Sequence, residues 1–201
     1  MKQVKIGRLL FHDKILSANR NIACATCHSH ELGGSDGLSL GIGEGGAGIG
    51  LKRTAGIGDD KIKKRVPRNA LALWNLGFKD ITTLLHDGRV TKSNIFGNGF
   101  NTPAQEALPK GLNNIVAVQA LFPMTRQFEM AGNPGENEII GLVSKVGKDS
   151  MRIDRVWPVI THRIRGIPEY VELFKNGFDD VDSALDINIT HIVNSIAAFE
   201  I

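Results

Sequence analysis

Two cysteines and a histidine stand together near the beginning of the chain, in the run Cys24-Ala25-Thr26-Cys27-His28. This is the pattern of covalent c-type haem attachment. Two thiols three positions apart on one helical turn can reach the two vinyl groups of one haem, and the adjacent histidine then ligates the iron from the same side. The sequence therefore predicts one haem c, attached through Cys24 and Cys27, with His28 as the proximal iron ligand.

Other chemistries for these thiols are less consistent with the sequence. A four-thiolate zinc site needs two more cysteines, and the chain has 2 in all. A zinc site of two cysteines and two histidines needs a second histidine, for which His30 is the nearby candidate. A thioredoxin-like pair needs a strand–helix context, which the glycine-rich sequence after the motif does not offer. A structural disulfide between Cys24 and Cys27 remains the plain alternative.

Glycines are concentrated directly after the motif, in residues 33–58. Residues 41–46 formally match the dinucleotide-binding pattern G-x-G-x-x-G. No strand pattern precedes this segment and no helix pattern follows it, so the dinucleotide interpretation is rejected. We expect a long irregular loop that wraps the edge of a cofactor.

The elements around this loop have helical patterns. Residues 4–16 predict an amphipathic helix, and Pro168 suits the first turn of another. No pair of segments has a convincing strand pattern. The expected fold is all-α, a cytochrome c-like haem domain with long irregular Gly-rich loops, forming a single domain over residues 1–201.

The last helix has the clearest pattern, with Asp182 or Ser183 as the expected cap. His191 shares a polar face with two asparagines, and we expect this face to be exposed. The apolar positions that recur at helical spacing are Leu185, Ile189, Ile192, Ile196 and Phe199. The chain stops directly after them, so we expect the sequence to be one part of a longer or two-part protein.

Composition excludes several classes of protein. The formal net charge is +3 and hydrophobic residues make up 42% of the chain, which is typical of a globular protein rather than a disordered one. The charge is too small and too scattered to indicate a nucleic-acid partner. No apolar run approaches the roughly 20 residues that span a bilayer. The first residues also lack the apolar stretch of a secretory signal.

A series of short motifs follows in an order that resembles the bacterial dihaem cytochrome c peroxidase superfamily, which includes the MauG-type protein-oxidising enzymes. The resemblance covers nearly the whole chain and corresponds to the N-terminal, peroxidatic haem domain. It implies a second haem domain that this chain does not contain. The motifs are residues 7–11, 16–17, 22–28, 33–37, 67–70, 86–89, 119–130 and 195–200.

The resemblance implies a peroxide-binding pocket made by three residues. Gln119, Pro123 and Glu129 stand at the spacings of the family's pocket residues. A carboxylate such as Glu129 can take a proton from one peroxide oxygen and deliver it to the other, which assists cleavage of the O–O bond. Gln119 can orient peroxide or water through hydrogen bonds.

The resemblance also assigns Asn69 as one ligand of a calcium ion, with its other ligands expected in the second domain. The sequence departs from the family at two places. No histidine lies between Glu31 and Leu85, where many members have a displaceable iron ligand, so the iron is expected to stay open to small ligands. His86 occupies the position that often holds a tryptophan proposed to pass electrons between the haems.

The combined expectation is an enzyme, a cytochrome-c peroxidase-like oxidoreductase. It would reduce hydrogen peroxide, or use peroxide to oxidise a protein side chain, with electrons from a second haem domain or chain and from a small donor protein. Because c-type haem is attached outside the bacterial cytoplasm, a periplasmic location is expected. The alternative is a monohaem electron-transfer cytochrome whose sixth ligand is a histidine or one of Met124, Met130 and Met151.

Overall fold

The computed structural model describes residues 1–58, 61–144 and 153–201. The chain divides into two compact units. The helical unit comprises residues 1–10, 75–122 and 152–201, and the motif unit comprises residues 11–74 and 123–151, as far as these are described. This division of the chain does not test the prediction of one domain over residues 1–201, which stays a prediction.

The helical unit is built from helices with apolar inner faces. Its core side chains include Ile6, Ile160, Phe174 and Ile192, all without solvent exposure. Helix α1 contains Gly7, where a Cβ would lie 1.8 Å from the carbonyl oxygen of Ser195. The backbone of α1 therefore lies so close to the helix that contains Ser195 that only glycine fits at position 7. The helices are α1 (Lys2–His12, whose last two residues begin the motif unit), α3 (Ile115–Ala120), α5 (Val156–Arg165), α6 (Pro168–Gly177) and α7 (Ile189–Glu200).

A small antiparallel sheet in the helical unit was not expected from the sequence. Strands β1 (Thr83–Leu84), β2 (Val90–Lys92) and β3 (Phe100–Asn101) pair in that order. Thr91 of the central strand pairs with both Thr83 and Asn101. The fold is therefore mostly helical, with 45% helix and 6% strand, rather than all-α.

The last helix begins later than the sequence predicted. Asn188 is the cap of α7, and its side chain accepts hydrogen bonds from the backbone N–H groups of Thr190 and His191. Leu185 lies in a separate 3₁₀ turn, capped by Ser183, and is exposed rather than buried. His191 was expected on an exposed face but is 6% exposed, because its imidazole packs against the Phe178 ring, with 4.7 Å between ring centroids, and its Nε2 lies 3.2 Å from Oδ2 of Asp180.

The motif unit has little regular structure beyond two short helices, α2 (Cys24–Cys27) and α4 (Glu138–Ser144). The first predicted helix stops at His12, and a 3₁₀ turn, Lys14–Leu16, follows with Asp13 as its cap. Residues 33–58 run as bends and short turns. Within the described part of the chain, no helix is both long enough and apolar enough to cross a bilayer.

Candidate haem site

The attachment motif forms a single helical turn. The backbone N–H of Ala23 donates to Oγ1 of Thr26 at 2.9 Å, which starts the turn, and the N–H of His28 donates to the carbonyl of Cys24 at 2.9 Å, which ends it. Cys24 and Cys27 therefore lie on the same turn, as attachment to one haem requires. The structure has no disulfide between the two cysteines.

His28 is held in the form that ligates a metal. Its Nδ1–H donates to the carbonyl oxygen of Gly34 at 2.8 Å, so Nε2 carries the lone pair. Burial lowers the pKa of His28 below its ordinary value, although the nearby carbonyls of Gly34 and Leu71 oppose this shift. The imidazole therefore stays neutral near pH 7, and the Gly34 contact fixes its orientation.

The thiol of Cys27 lies among buried polar groups. Burial raises its pKa, the guanidinium of Arg53 lowers it, and the carboxylate of Asp36 raises it. The backbone of Gly43 also lowers this pKa by hydrogen bonding, and the carboxylate of Glu129 raises it. Groups of the glycine-rich loop and the Glu129 carboxylate therefore influence the electrostatics of this thiol.

Arg53 organises the glycine-rich loop from inside. Its Nη2 donates to the carbonyl oxygens of Gly43 and Gly45, both at 2.6 Å, and its Nη1 donates to that of Gly48 at 2.9 Å. The residue is 6% exposed. Because a guanidinium has a planar set of five donors, one side chain can hold three carbonyls of an otherwise irregular loop.

Glu129 lies in a π-helical turn, Gln127–Ala131. The backbone N–H groups of Glu129, Met130 and Ala131 all donate to the carbonyl of Arg126, at 3.1, 3.1 and 3.0 Å. Such turns are rare and are frequently found at functional sites. The turn therefore carries a half-buried carboxylate in the same unit as the attachment motif.

The glycine-rich loop packs directly on this turn. Gly43 has a φ of +67°, and a Cβ there would lie 1.9 Å from the carbonyl oxygen of Phe128. The N–H of Glu44 donates to the same carbonyl at 3.1 Å. The segment that matched a dinucleotide motif therefore has a different role, since its glycine lets the loop approach the backbone beside Glu129.

Among the described residues of the motif unit, three buried polar atoms have no protein partner, namely Nε of Arg53, Oδ2 of Asp36 and Oδ1 of Asn133. The carboxylates of a haem are suitable acceptors for an unpaired guanidinium N–H. With two thiols on one turn and an anchored neutral imidazole, the residues present fit a covalently attached haem.

The three predicted pocket residues do not all belong to one unit. Pro123 begins a 3₁₀ turn, Pro123–Thr125, in the motif unit, which also contains Glu129. Gln119 lies in α3 of the helical unit and is partly exposed.

The remaining residues that were predicted to bind a metal are Asn69, for calcium, and three methionines, for the iron. Asn69 is exposed, and its Nδ2 donates to the carbonyl of Ala70 at 3.4 Å. No group of three or more His, Cys, Asp or Glu side chains in the described residues is arranged to hold a metal ion. Met124 and Met130 are buried in the motif unit, and Met151 lies outside the described residues.

Comparison with known proteins gives short matches to two curated proteins. Cytochrome c peroxidase Ccp of Escherichia coli is 48% identical over 46 residues, which make up 23% of this chain and 10% of that protein. The methylamine utilization protein MauG of Methylorubrum extorquens is 46% identical over 44 residues, or 22% of this chain and 12% of that protein. The matched segments are thus a small part of each relative.

A solved structure shares the fold over the whole chain. The crystal structure of a MauG-like protein associated with microbial copper homeostasis superposes with a TM-score of 0.53 and 20% sequence identity, covering 100% of this chain and 40% of that one. The family described as di-haem cytochrome c peroxidase matches residues 1–201. The chain therefore belongs to the di-haem cytochrome c peroxidase family.

Proposed function

We propose that this chain is the peroxide-reacting haem part of a peroxidase-type oxidoreductase. It reduces hydrogen peroxide, or uses peroxide to oxidise a protein side chain, with electrons from a second haem domain or a partner protein. The observation that carries this proposal is that Glu129 lies in the same compact unit as the haem-attachment motif, on a π-helical turn that the glycine-rich loop contacts at Gly43.

Cys24 and Cys27 would hold the haem through thioether bonds, and Nε2 of His28 would ligate its iron. When bound, the haem supplies an iron centre that polarises peroxide and exchanges electrons with it. The Gly34 carbonyl keeps the His28 imidazole in one tautomer and increases its basicity, because Nδ1–H donates to it at 2.8 Å. One haem c in this chain is part of the proposal.

Glu129 moves the proton. Its carboxylate accepts a proton from one oxygen of hydrogen peroxide and delivers it to the oxygen that leaves as water. A positioned acid–base group of this kind contributes roughly 10²–10⁴-fold to a rate. Gln119 orients the peroxide by hydrogen bonding, and Pro123 supplies an apolar wall that contributes no competing donor.

The proposal also includes calcium binding, with Asn69 as one ligand among several. One amide oxygen is far from the six to eight oxygen ligands that calcium takes. Since Asn69 is exposed, its other ligands would come from backbone carbonyls, water and the second haem domain. A periplasmic location is proposed because c-type haem is attached there in bacteria.

A monohaem electron carrier is the second candidate, and one observation favours it. Met124 and Met130 are 2% and 6% exposed and lie in the same unit as the attachment motif. A thioether sulfur is a common sixth ligand in electron-transfer cytochromes. An iron with this sixth ligand would be low-spin and closed to peroxide.

The optical spectrum of the ferric holoprotein, recorded with and without hydrogen peroxide, separates the two functions. A peroxidase predicts a high-spin spectrum that changes on adding peroxide. Glu129→Gln should lose this change, whereas Glu106→Gln, an exposed control in the helical unit, should keep it. A low-spin spectrum that does not respond to peroxide, and that becomes high-spin in Met124→Leu or Met130→Leu, would instead establish the electron carrier.

A further inference from the structure

A buried carboxylate of the glycine-rich loop has no part in the proposed chemistry. Glu44 is 8% exposed, and its Oε1 accepts hydrogen bonds from Nδ2 of Asn19 at 2.7 Å and from Nδ2 of Asn21 at 2.6 Å. A buried carboxylate is costly unless such bonds satisfy it. Both asparagines belong to the segment before the attachment motif, which begins at Cys24. The side chain of Glu44 therefore joins the loop to the segment that leads into the motif.

The backbone of the same residue contacts the turn that carries Glu129. The N–H of Glu44 donates to the Phe128 carbonyl at 3.1 Å, and Phe128 directly precedes Glu129. One residue thus contacts the π-helical turn through its backbone and the segment before the motif through its carboxylate. All of these groups lie in the motif unit.

The segment before the motif also holds the turn on the other side of Glu129. There the N–H of Ala18 donates to the Met130 carbonyl at 2.8 Å. On the Phe128 side, the connection to this segment runs through the Glu44 carboxylate. A reacting side chain is effective only when supporting hydrogen bonds hold it close to its productive geometry. Glu44 supplies one of these supports.

We propose that Glu44 is a positioning residue for Glu129. Its carboxylate ties the turn of Glu129 to the segment that leads into the haem motif, and so keeps the Glu129 carboxylate in one position relative to His28. The inference rests on the proposed function, since it presumes that Glu129 transfers the proton of peroxide. It adds no chemical step, because Glu44 exchanges no proton with peroxide.

Hydrogen exchange of the ferric holoprotein, measured by mass spectrometry without peroxide, tests the positioning directly. The backbone amides of Glu129, Met130 and Ala131 donate to the Arg126 carbonyl. In Glu44→Ala they should exchange roughly tenfold faster or more, because two charge-assisted hydrogen bonds that support the turn are lost. Amides in α7 of the helical unit should exchange as in the parent.

Matched variants separate the hydrogen bonds from the rest of the side chain. Glu44→Gln keeps an oxygen that can accept from both asparagines, so exchange of the turn should stay close to that of the parent. Asn21→Ala removes one of the two bonds at an exposed position and should speed exchange less, and it provides the test if Glu44→Ala does not fold. Glu31→Ala, at an exposed carboxylate of the same unit, should have no effect.

A double-mutant cycle tests whether this support matters for the chemistry. The measured quantity is the second-order rate constant for the reaction of the ferric holoprotein with hydrogen peroxide. Glu44→Ala should lower it by roughly 10- to 100-fold, since a misplacement of about 1 Å can cost about 10²-fold. In the Glu129→Gln background Glu44→Ala should cause no further loss, whereas a general structural effect would lower the rate in both backgrounds.

Unchanged exchange of the turn in Glu44→Ala would overturn the inference, and so would equal losses of rate in the two backgrounds. If Glu129→Gln reacts with peroxide as fast as the parent, the proposed role of Glu129 fails, and the inference fails with it. A slow Glu129→Gln variant together with an unaffected Glu44→Ala variant would overturn the inference alone.

Discussion

Gly43 and Phe128 approach each other so closely that no side chain fits between them. A Cβ at Gly43 would lie 1.9 Å from the Phe128 carbonyl oxygen, and the glycine has a φ of +67°. This contact joins the loop after the haem motif to the π-helical turn that carries Glu129. Steric fit at one glycine therefore controls the position of the proposed catalytic carboxylate.

Gly43→Ala should destabilise the protein strongly. The left-handed backbone costs about 1–2 kcal/mol for an L-residue. Overpacking against backbone costs about 1–3 kcal/mol more. Gly58→Ala is the matched control, because this glycine has a φ of +58° with no atom within 4 Å of its Cβ position and should lose only the first contribution. Urea unfolding of the two variants would measure the difference, and equal losses would show that the close contact is unimportant.

Arg53→Lys should also destabilise the protein, although it keeps the positive charge. An ammonium cannot reach the three carbonyls that Arg53 holds, and each buried acceptor left unpaired costs about 1–3 kcal/mol. We expect a loss of about 2–4 kcal/mol in the free energy of unfolding.

Arg65→Lys provides the comparison for this prediction. Arg65 donates to one carbonyl, that of Leu40, at an exposed site, so its replacement should cost little. Thermal unfolding of both variants would check the prediction. A similar, small decrease in Tm for both would mean that the loop does not depend on the buried guanidinium.

The pH dependence of stability should contain a contribution from Glu200. Its Oε2 is buried without a partner, and burial raises the pKa of this carboxyl from its ordinary 4.5 to about 8. Between these values the folded state holds a proton that the unfolded state has released. The free energy of unfolding should therefore fall as pH rises through this range, by up to about 1.4 kcal/mol per pH unit.

Glu200→Gln should remove this slope, so that the variant matches the parent near pH 4.5 and exceeds it at pH 8. Glu172→Gln, at an exposed carboxylate on α6, should leave the slope as it was. Urea unfolding across this pH range is the measurement, and parallel curves for Glu200→Gln and the parent would contradict the prediction.

Local patterns in the sequence predicted part of the fold. Pro168 begins α6 as expected, because proline fixes the backbone for a first helical turn and has no N–H that must be satisfied. The three strands could not be recognised, since they have two or three residues each and an alternating pattern needs at least four. Leu185 fitted the helical repeat by spacing alone, but the chain bends before Asn188 and leaves it exposed.

Sequence patterns could predict the part of the site that is contiguous in the chain, but they could not predict the parts that depend on residues far apart in the sequence. The haem motif is contiguous, so its chemistry could be inferred from five residues. Arg53 was missed because its partners are carbonyls, which every residue has and no sequence pattern marks. The role of Gly43 depends on a segment more than 80 positions later in the chain, and contacts of this kind cannot be deduced from periodicity.

The two units are interleaved along the chain, which passes from one to the other four times. During synthesis or export the cysteines of residues 11–74 emerge well before residues 123–151, which complete their unit. The thiols therefore precede part of their own unit in the order of synthesis. For the proposed haem, this interval would allow attachment before the glycine-rich loop packs on the π-helical turn.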